Sequence, residues 1–218
     1  MRSIVGAAFV SLDGVMQAPG GPEEDRTGGF DLGGWTPAYS DEEQEETMAP
    51  LFAGPFDLLL GRRTYEIFAA HWPYQEDAIG EAFNRAAKYV VTSSTEPLAW
   101  ANSHAVQDGI EGVARLKATD GPDLRVWGSS LLYKGLIAHG LLDRLMLMTF
   151  PLILGKGKKL FGDGLPAHAL KLVDSKVSPK GVVIASYEPA GPVQLGSFVP
   201  EQPSAAELER RERWKREG

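Results

Sequence analysis

The segment Phe56-Asp57-Leu58-Leu59-Leu60-Gly61-Arg62-Arg63-Thr64 joins a largely apolar run to a glycine, two arginines and a threonine. A short apolar run between Pro55 and Gly61 is typical of a strand that is buried on both faces, as in a parallel sheet. The residues that follow it predict a short helix over positions 64–70. A buried strand that leads directly into a helix is the repeating unit of an α/β fold.

The rest of the chain continues this alternation on both sides of the segment. We predict strands at 4–10, 88–92, 124–127 and 142–150, and helices at about 41–53, 79–87, 108–118 and 129–139. Two further strands, 170–177 and 182–187, flank the turn Pro179-Lys180-Gly181 and predict a terminal hairpin. The pattern predicts an α/β fold with a central, mostly parallel sheet, flanking helices and a C-terminal antiparallel hairpin.

Composition and length limit the class of protein. The 218 residues include no cysteine, which excludes a disulfide framework, a thiolate metal site and a cysteine nucleophile. No apolar run approaches the roughly 20 residues of a membrane span, and the first apolar run is too short for a signal peptide. We therefore expect a cytoplasmic protein with no membrane partner. Residues 1–189 are predicted to form one domain, and residues 190–218 a Pro-rich linker and a charged helix.

The net charge of −7 is concentrated in one region. Residues 21–48 carry nine acidic side chains and one basic side chain, which predicts a solvated loop and helix face. The remainder has no basic stripe of the kind that binds DNA or RNA, so no nucleic-acid partner is expected. Residues 17–39 are rich in Gly, Pro and acids and are predicted to form a long loop that acts as a lid.

Three predicted strands end in residues that suit a phosphate group. These ends are Gly61-Arg62-Arg63-Thr64, Thr92-Ser93-Ser94-Thr95 and Gly128-Ser129-Ser130. Because ligands bind beyond the carboxyl ends of parallel strands, we expect the three ends to face one cleft. Helix N-termini offer N–H groups to an anion, glycine permits close backbone approach, and arginine binds phosphate oxygens in pairs. Together they favour a dinucleotide, although each end taken singly is also compatible with an ordinary polar turn.

Other sequence signatures are absent or incomplete. The segment Gly155-Lys156-Gly157-Lys158-Lys159-Leu160 lacks the last glycine of the dinucleotide fingerprint, and no P-loop sequence occurs. The four histidines show no metal-ligand spacing, so no metal site is predicted. Ser129 and Ser130 lack the Gly-x-Ser-x-Gly sequence of many hydrolases, which disfavours a serine hydrolase.

Aromatic residues are frequent on both sides of the predicted cleft. Phe30 and Trp35 lie in the long loop, and Phe68, Trp72 and Tyr74 follow the arginine-rich turn. Flat side chains in these positions suit a planar heterocycle, and ordinary core packing is the alternative for each of them.

Five segments, in this order along the chain, resemble those of the bacterial RibD C-terminal-domain-like proteins, which belong to the dihydrofolate-reductase-like superfamily. They are Ser11-Leu12-Asp13-Gly14, Leu60-Gly61-Arg62-Arg63-Thr64-Tyr65-Glu66, Val126-Trp127-Gly128-Ser129-Ser130-x-Leu132, Gly140-Leu141-Leu142-Asp143 and Pro151-x-x-Leu154-Gly155-x-Gly157-x-x-Leu160-Phe161. The resemblance covers about residues 3–189. The deaminase half of the bifunctional riboflavin enzyme has no counterpart here, since no cysteine is present for its zinc site.

The resemblance implies a dihydrofolate-reductase-like fold, NADPH as the hydride donor and a homodimer, with the 142–150 strand and the tail helix as candidate contacts. Many relatives have Gly-Gly where this chain has Gly128-Ser129, so the backbone approach is expected to differ there. The implied cofactor-binding residues fall into three groups. Gly61, Arg62, Arg63 and Thr64 meet the 2′-phosphate and pyrophosphate, Thr92, Ser93 and Ser94 line the adenosine side, and Gly128, Ser129, Ser130 and Leu131 surround the pyrophosphate.

Our hypothesis for the reaction is hydride transfer to a small planar pterin- or pyrimidine-like substrate. The nicotinamide is expected between the first strand, around Ala8, and the Gly128 loop, with a C=N or C=O group near Trp35, Phe68 and Trp72. Asp13 is the candidate proton source, with a water molecule as an equal alternative and a purely structural turn as the other role for Asp13. A binding protein that kept the fold without turnover is the alternative function, because fold does not determine substrate.

Overall fold

The computed structural model describes residues 1–198 and 202–217, and eight strands in this part of the chain form one sheet. The strands are β1 (Ile4–Ser11), β2 (Phe56–Gly61), β3 (Lys88–Val91), β4 (Ser103–Val106), β5 (Asp123–Trp127), β6 (Arg144–Phe150), β7 (Leu170–Val177) and β8 (Val183–Pro189). Their order is β4-β3-β2-β5-β1-β6-β8-β7. Neighbours from β4 to β6 are parallel, whereas β8 is antiparallel to both β6 and β7. The predicted α/β fold with a C-terminal hairpin is confirmed.

Helices cover both faces of the sheet. The first three, α1 (Glu42–Met48), α2 (Arg62–Ala69) and α3 (Ala78–Arg85), pack on one face, where the core includes Tyr65 and Phe83. The next two, α4 (Gly109–Lys117) and α5 (Ser130–Ala138), pack on the other, where the core includes Val113 and Tyr133. The sheet therefore lies between two hydrophobic cores.

The apolar run in β2 follows from this arrangement. Leu58 and Leu60 belong to one core and Leu59 to the other, and all three are fully buried. Side chains alternate between the two faces of a strand, so both faces of β2 must be apolar when both are covered by helices. Burial of each leucine stabilises the fold by about 2 kcal/mol.

A buried tyrosine fixes α5 against the sheet. The Tyr133 hydroxyl lies 2.9 Å from the carbonyl oxygens of both Ala7 in β1 and Val126 in β5. The ring passes so close to Gly6 that a Cβ there would lie 2.5 Å from Tyr133 Cε1, which excludes any other residue at this position. The contact sets the N-terminus of α5 beside the carboxyl ends of β1 and β5.

Two elements differ from the sequence predictions. The predicted 41–53 helix ends at Met48 and continues as a 3-10 turn over Ala49–Leu51, where Pro50 cannot extend the α-helical hydrogen bonds. Strand β4 was not predicted, because its four residues include Ser103 and His104 and show no apolar run. Pairing with β3 determines it.

The homodimer stays a prediction. Strand β6 is hydrogen-bonded to β1 and β8 on its two sides, so it has no free edge. Strands β4 and β7 are the two edges of the sheet, and all eight residues of β7 are exposed.

The C-terminal segment is helical as predicted. Helix α6 (Ala205–Glu217) buries no residue, and residues 199–201 and 218 of the predicted tail lie outside the described residues. Within the part of the chain that the structure describes, no helix has the length and apolar character to cross a membrane.

Candidate active site

One large cleft, of about 1550 Å³, opens at the carboxyl ends of the parallel strands β2, β3 and β5. Its wall includes Ala7, Ala8 and Phe9 of β1 and the Gly61, Thr92 and Gly128 turns. Single-ligand pockets usually measure about 300–1000 Å³. This volume can therefore hold a dinucleotide and a second molecule together.

All of the residues predicted to bind the cofactor line this cleft. They are Ala8, Gly61, Arg62, Arg63, Thr64, Thr92, Ser93, Ser94, Gly128, Ser129, Ser130 and Leu131. The expectation that three separate strand ends face one cleft is met, and the binding role of each residue stays a prediction.

A serine joins two of the three turns. Ser129 Oγ accepts a hydrogen bond from the backbone N–H of Gly61 at 2.9 Å and donates one to Thr64 Oγ1 at 2.7 Å. The turn after β5 is thereby tied to the turn after β2, its neighbour in the sheet. Ser129 thus has a structural role of its own.

An arginine joins the third turn to the other two. Arg62 forms an ion pair with Glu66 at 2.6 Å, and its Nη1 donates to the carbonyl oxygen of Glu96 at 3.0 Å. Arg63 has a single long contact, 3.4 Å to the hydroxyl of Thr27 in the long loop. Arg62 therefore links the turn after β2 to Glu96, and the guanidinium groups of both Arg62 and Arg63 line the cleft.

The helices that begin at the cleft lack side-chain caps. Gly61, which has no side chain, precedes α2, and Ser129, whose hydroxyl bonds to Gly61 and Thr64, precedes α5, so neither residue caps the helix that follows it. By contrast, Asp41 and Asp77 cap α1 and α3 through side-chain hydrogen bonds to backbone N–H groups. Uncapped N–H groups at a helix N-terminus attract an anion, so the ends of α2 and α5 suit phosphate.

The backbone of the Gly128 turn is shaped for close approach. Gly128 and Ser129 have φ values of 62° and 65°, in the left-handed region that residues other than glycine rarely adopt. A Cβ on Gly128 would lie 3.1 Å from Thr64 Cγ2. Glycine is therefore needed where this turn packs against Thr64, and its bare backbone lies on the cleft wall between the β2 and β5 turns.

The cleft also contains an aromatic chamber, formed by Phe52, Phe68, Trp72, Phe83 and Trp127. Phe52 stacks on Trp127 with ring centroids 5.3 Å apart, and Phe68 stacks on Phe83 at 5.8 Å. Trp72 meets Phe83 edge-on at 4.9 Å. Phe83 and Trp127 are nearly fully buried, so Phe52, Phe68 and Trp72 supply most of the exposed aromatic surface, which suits a flat apolar ring.

Comparison with protein families agrees with this geometry. Residues 2–184 match the family model of the RibD C-terminal domain. The chain belongs to the RibD C-terminal domain family. The resemblance drawn from the five sequence segments is therefore confirmed.

Individual relatives are distant. The uncharacterised Bacillus subtilis protein YyaP is 30% identical over 135 residues, which is 60% of this chain and 72% of YyaP. Among solved structures, a protein of Shewanella sp. PV-4 assigned to riboflavin biosynthesis has a TM-score of 0.65 at 19% identity, covering 87% of this chain and 99% of that one.

Two further structures have the same fold. A pyrimidine reductase-like protein from Corynebacterium diphtheriae has a TM-score of 0.56 at 14% identity, over 87% of this chain and 92% of that one. Dihydrofolate reductase from Enterococcus faecalis, in complex with NADP(H) and RAB-propyl, has a TM-score of 0.55 at 14% identity, over 86% of this chain and 96% of that one. These likenesses show that the RibD C-terminal domain described here has the fold of dihydrofolate reductase.

The structure corrects the prediction that Trp35 contacts the substrate. Phe68 and Trp72 line the cleft, but Trp35 is not part of its wall. Trp35 is 8% exposed, its Nε1 donates to the carbonyl oxygen of Gln17 at 2.8 Å, and its ring packs edge-on against Phe150. Trp35 is a core residue that anchors the long loop.

The structure also argues against Asp13 as the proton source. Asp13 lies outside the cleft wall, and its carboxylate accepts hydrogen bonds from the Ser11 hydroxyl and from the N–H groups of Leu154 and Gly155. The Ser11 hydroxyl and the two N–H groups lower the pKa of Asp13 to about 2. A carboxyl group with this pKa holds no proton near neutral pH. Asp13 instead holds the turn after β1 against the backbone of residues 154–155 through hydrogen bonds.

Sequence reasoning missed Glu24, Phe52, Phe83 and Trp127. The three aromatic residues have the spacing of core positions in predicted helices or strands, so their sequence context does not distinguish a chamber from a core. Glu24 is one of several acids in the long loop, and its distinguishing feature is local. Its Oε2 accepts hydrogen bonds from the N–H groups of Gly20 and Gly21 at 2.6 and 3.2 Å, on the cleft wall.

Proposed function

We propose that this protein is an NADPH-dependent reductase that transfers a hydride to a small planar heterocycle with a C=N or C=O group. The observation that carries the proposal is the bridging of three phosphate-suited turns by Ser129 and Arg62 at one part of a cleft that also contains an aromatic chamber. A dinucleotide has both kinds of group, phosphates and flat rings.

Specific residues would hold each part of NADPH. The uncapped N-termini of α2 and α5, with Arg63, would bind the pyrophosphate, and Arg62 with Ser93 and Ser94 would bind the 2′-phosphate. Ala8 and the Gly128 turn would flank the nicotinamide. When bound, the cofactor supplies the hydride.

Reduction of a C=N or C=O group also consumes a proton, and Glu24 is the candidate source. Its carboxyl group lies on the cleft wall, where burial raises its pKa above the usual value despite the Gly20 and Gly21 hydrogen bonds. A carboxyl group with a raised pKa keeps its proton at a higher pH than its neighbours and can donate it to the substrate.

The role of Glu24 is tested by Glu24→Gln, which keeps an oxygen for the Gly20 and Gly21 N–H groups. We expect a rate about 100-fold lower with unchanged NADPH affinity, as is usual for loss of a general acid. Glu23→Gln is the matched control, because Glu23 is exposed and paired with Arg26. A Glu24→Gln variant as fast as the Glu23→Gln variant would leave water as the proton source.

The cofactor proposal is tested by titrating the purified protein with NADPH and following quenching of tryptophan fluorescence. Saturable quenching is expected, since Trp72 and Trp127 both line the cleft. No quenching up to millimolar cofactor would refute the proposal. Cofactor binding without NADPH oxidation across pterins, pyrimidines and quinones would instead favour a binding protein without turnover.

A further inference from the structure

The charges around the cleft are distributed unevenly. Among the described residues that line it, the charged ones lie on the 23–25 part of the long loop, on the first turns of α2, or at Lys158. Most are already paired: Asp25 with Lys158 at 2.5 Å and Arg62 with Glu66 at 2.6 Å. The elements that form the aromatic chamber, including α3 and β5, contribute apolar lining residues such as Ile79 and Trp127.

Helix α1 also shows this separation of charged side chains from the chamber. Its sequence is Glu-Glu-Gln-Glu-Glu-Thr-Met, yet Met48 is the residue of α1 that lines the cleft. The acids face elsewhere, as Glu43 does in its ion pair with Lys176 at 2.9 Å. The most acidic helix of the molecule thus presents a thioether, not a carboxylate, to the chamber.

An imidazole also adjoins the chamber. The His71 ring lies 4.9 Å from the Trp72 ring and lines the cleft. The aromatic rings, Met48 and Ile79 carry no formal charge, and Glu24, the proposed proton donor, is uncharged in the form that donates its proton.

We propose that the chamber takes an uncharged, flat, largely apolar ring that carries the reducible C=O or C=N group, and that it rejects rings with a phosphate, sulfonate, carboxylate or guanidinium-like charge. This inference rests on the proposed reductase function and narrows its substrate class. The physical reason is desolvation, because a charge moved from water into an apolar site without a partner is strongly disfavoured.

The test compares isatin, a flat bicyclic carbonyl compound, with its sulfonated derivative at pH 8 in the presence of saturating NADPH. Quenching of tryptophan fluorescence reports binding of each compound. We expect the sulfonated compound to bind at least about 100-fold more weakly than isatin. Equal affinities, or no binding of isatin, would overturn the inference.

A variant in the chamber gives a second, independent readout. Met48→Lys should weaken binding of isatin and strengthen binding of the sulfonated compound about tenfold, because it adds a cation to a chamber that Met48 and the aromatic rings leave uncharged. Met48→Leu is the matched control and should behave as the parent protein does. If Met48→Lys fails to fold, the comparison of the two compounds with the parent protein still decides the matter.

Cofactor affinity separates this inference from the proposed function. NADPH binding measured without isatin tests the reductase proposal alone, since Met48 lies outside the phosphate-binding turns. Absence of NADPH binding would refute the proposed function. Tight NADPH binding together with equal binding of the two isatin compounds would refute only the uncharged-substrate inference.

Discussion

Replacement of Ser129 by alanine or by glycine should destabilise the protein to different degrees. The side chain makes two hydrogen bonds, from the Gly61 N–H and to Thr64 Oγ1, at 2.9 and 2.7 Å. The residue also has a backbone of φ 65° and ψ 71°, which is unfavourable for any residue except glycine. Alanine removes the bonds and keeps the strain, whereas glycine removes both.

The magnitudes follow from these two contributions. Each hydrogen bond contributes about 1 kcal/mol, so Ser129→Ala should lower the free energy of unfolding by about 2 kcal/mol. In Ser129→Gly, removal of the left-handed backbone strain restores about 1 kcal/mol of the free energy of unfolding. The greater conformational freedom of glycine in the unfolded chain reduces this gain. The glycine variant should therefore unfold between the parent protein and the alanine variant.

The measurement is urea unfolding followed by circular dichroism, with NADPH affinity measured on the same samples. Ser130→Ala is the matched control, because the Ser130 hydroxyl has no hydrogen-bond partner among the described residues and faces the cleft. We expect that control to unfold within about 0.5 kcal/mol of the parent protein and yet to bind NADPH more weakly.

Two results would refute this reasoning. Ser129→Ala with an unchanged urea midpoint would mean that the bridge between the turns contributes nothing to stability. A glycine variant less stable than the alanine variant would mean that the backbone at position 129 is not strained.

Three other variants test separate parts of the molecule. Arg62→Ala should weaken the binding of NADPH about ten- to hundredfold and the binding of NADH much less. Arg144→Ala is the control, because Arg144 is paired with Glu188. Equal losses of affinity for the two cofactors would mean that Arg62 does not contact the 2′-phosphate. Asp13→Asn should lower the free energy of unfolding at pH 7. The difference in this free energy between the variant and the parent protein should vanish as the pH falls through about 2, where the parent carboxylate takes up its proton. Lys88 is fully buried, and burial lowers its pKa to about 8. Between pH 8 and 10 the unfolded chain holds that proton and the folded chain releases it, so the stability of the parent protein relative to Lys88→Met should rise with pH in urea unfolding.

Much of the architecture could be predicted from local pattern. Leu58, Leu59 and Leu60 indicated a strand buried on both faces, and the structure places them in two different cores. The convergence of the Gly61, Thr92 and Gly128 turns followed from topology, since parallel strands end at the same edge of a sheet. Strand β4 could not be predicted, because a short edge strand carries little apolar pattern and depends on its neighbour.

The site was less predictable than the fold. Trp35 and Phe52 are both aromatic residues close to α1, yet one anchors a loop in the core and the other lines the aromatic chamber. Asp13 and Glu24 are both loop acids, yet three hydrogen bonds lower the pKa of Asp13 and burial raises the pKa of Glu24. Such differences depend on neighbours that are distant in sequence.

The sequence by itself determined the alternation of strands and helices, the family and the three phosphate-suited turns. These features depend on hydrophobic period and on residue type next to a strand end, and both are local. Only the tertiary structure decided that Ser129 and Arg62 join the turns, that α1 presents Met48 to the cleft in place of an acid, and that Asp13 serves a turn. Each of these depends on contacts between side chains that are distant in sequence, and on the burial that those contacts produce.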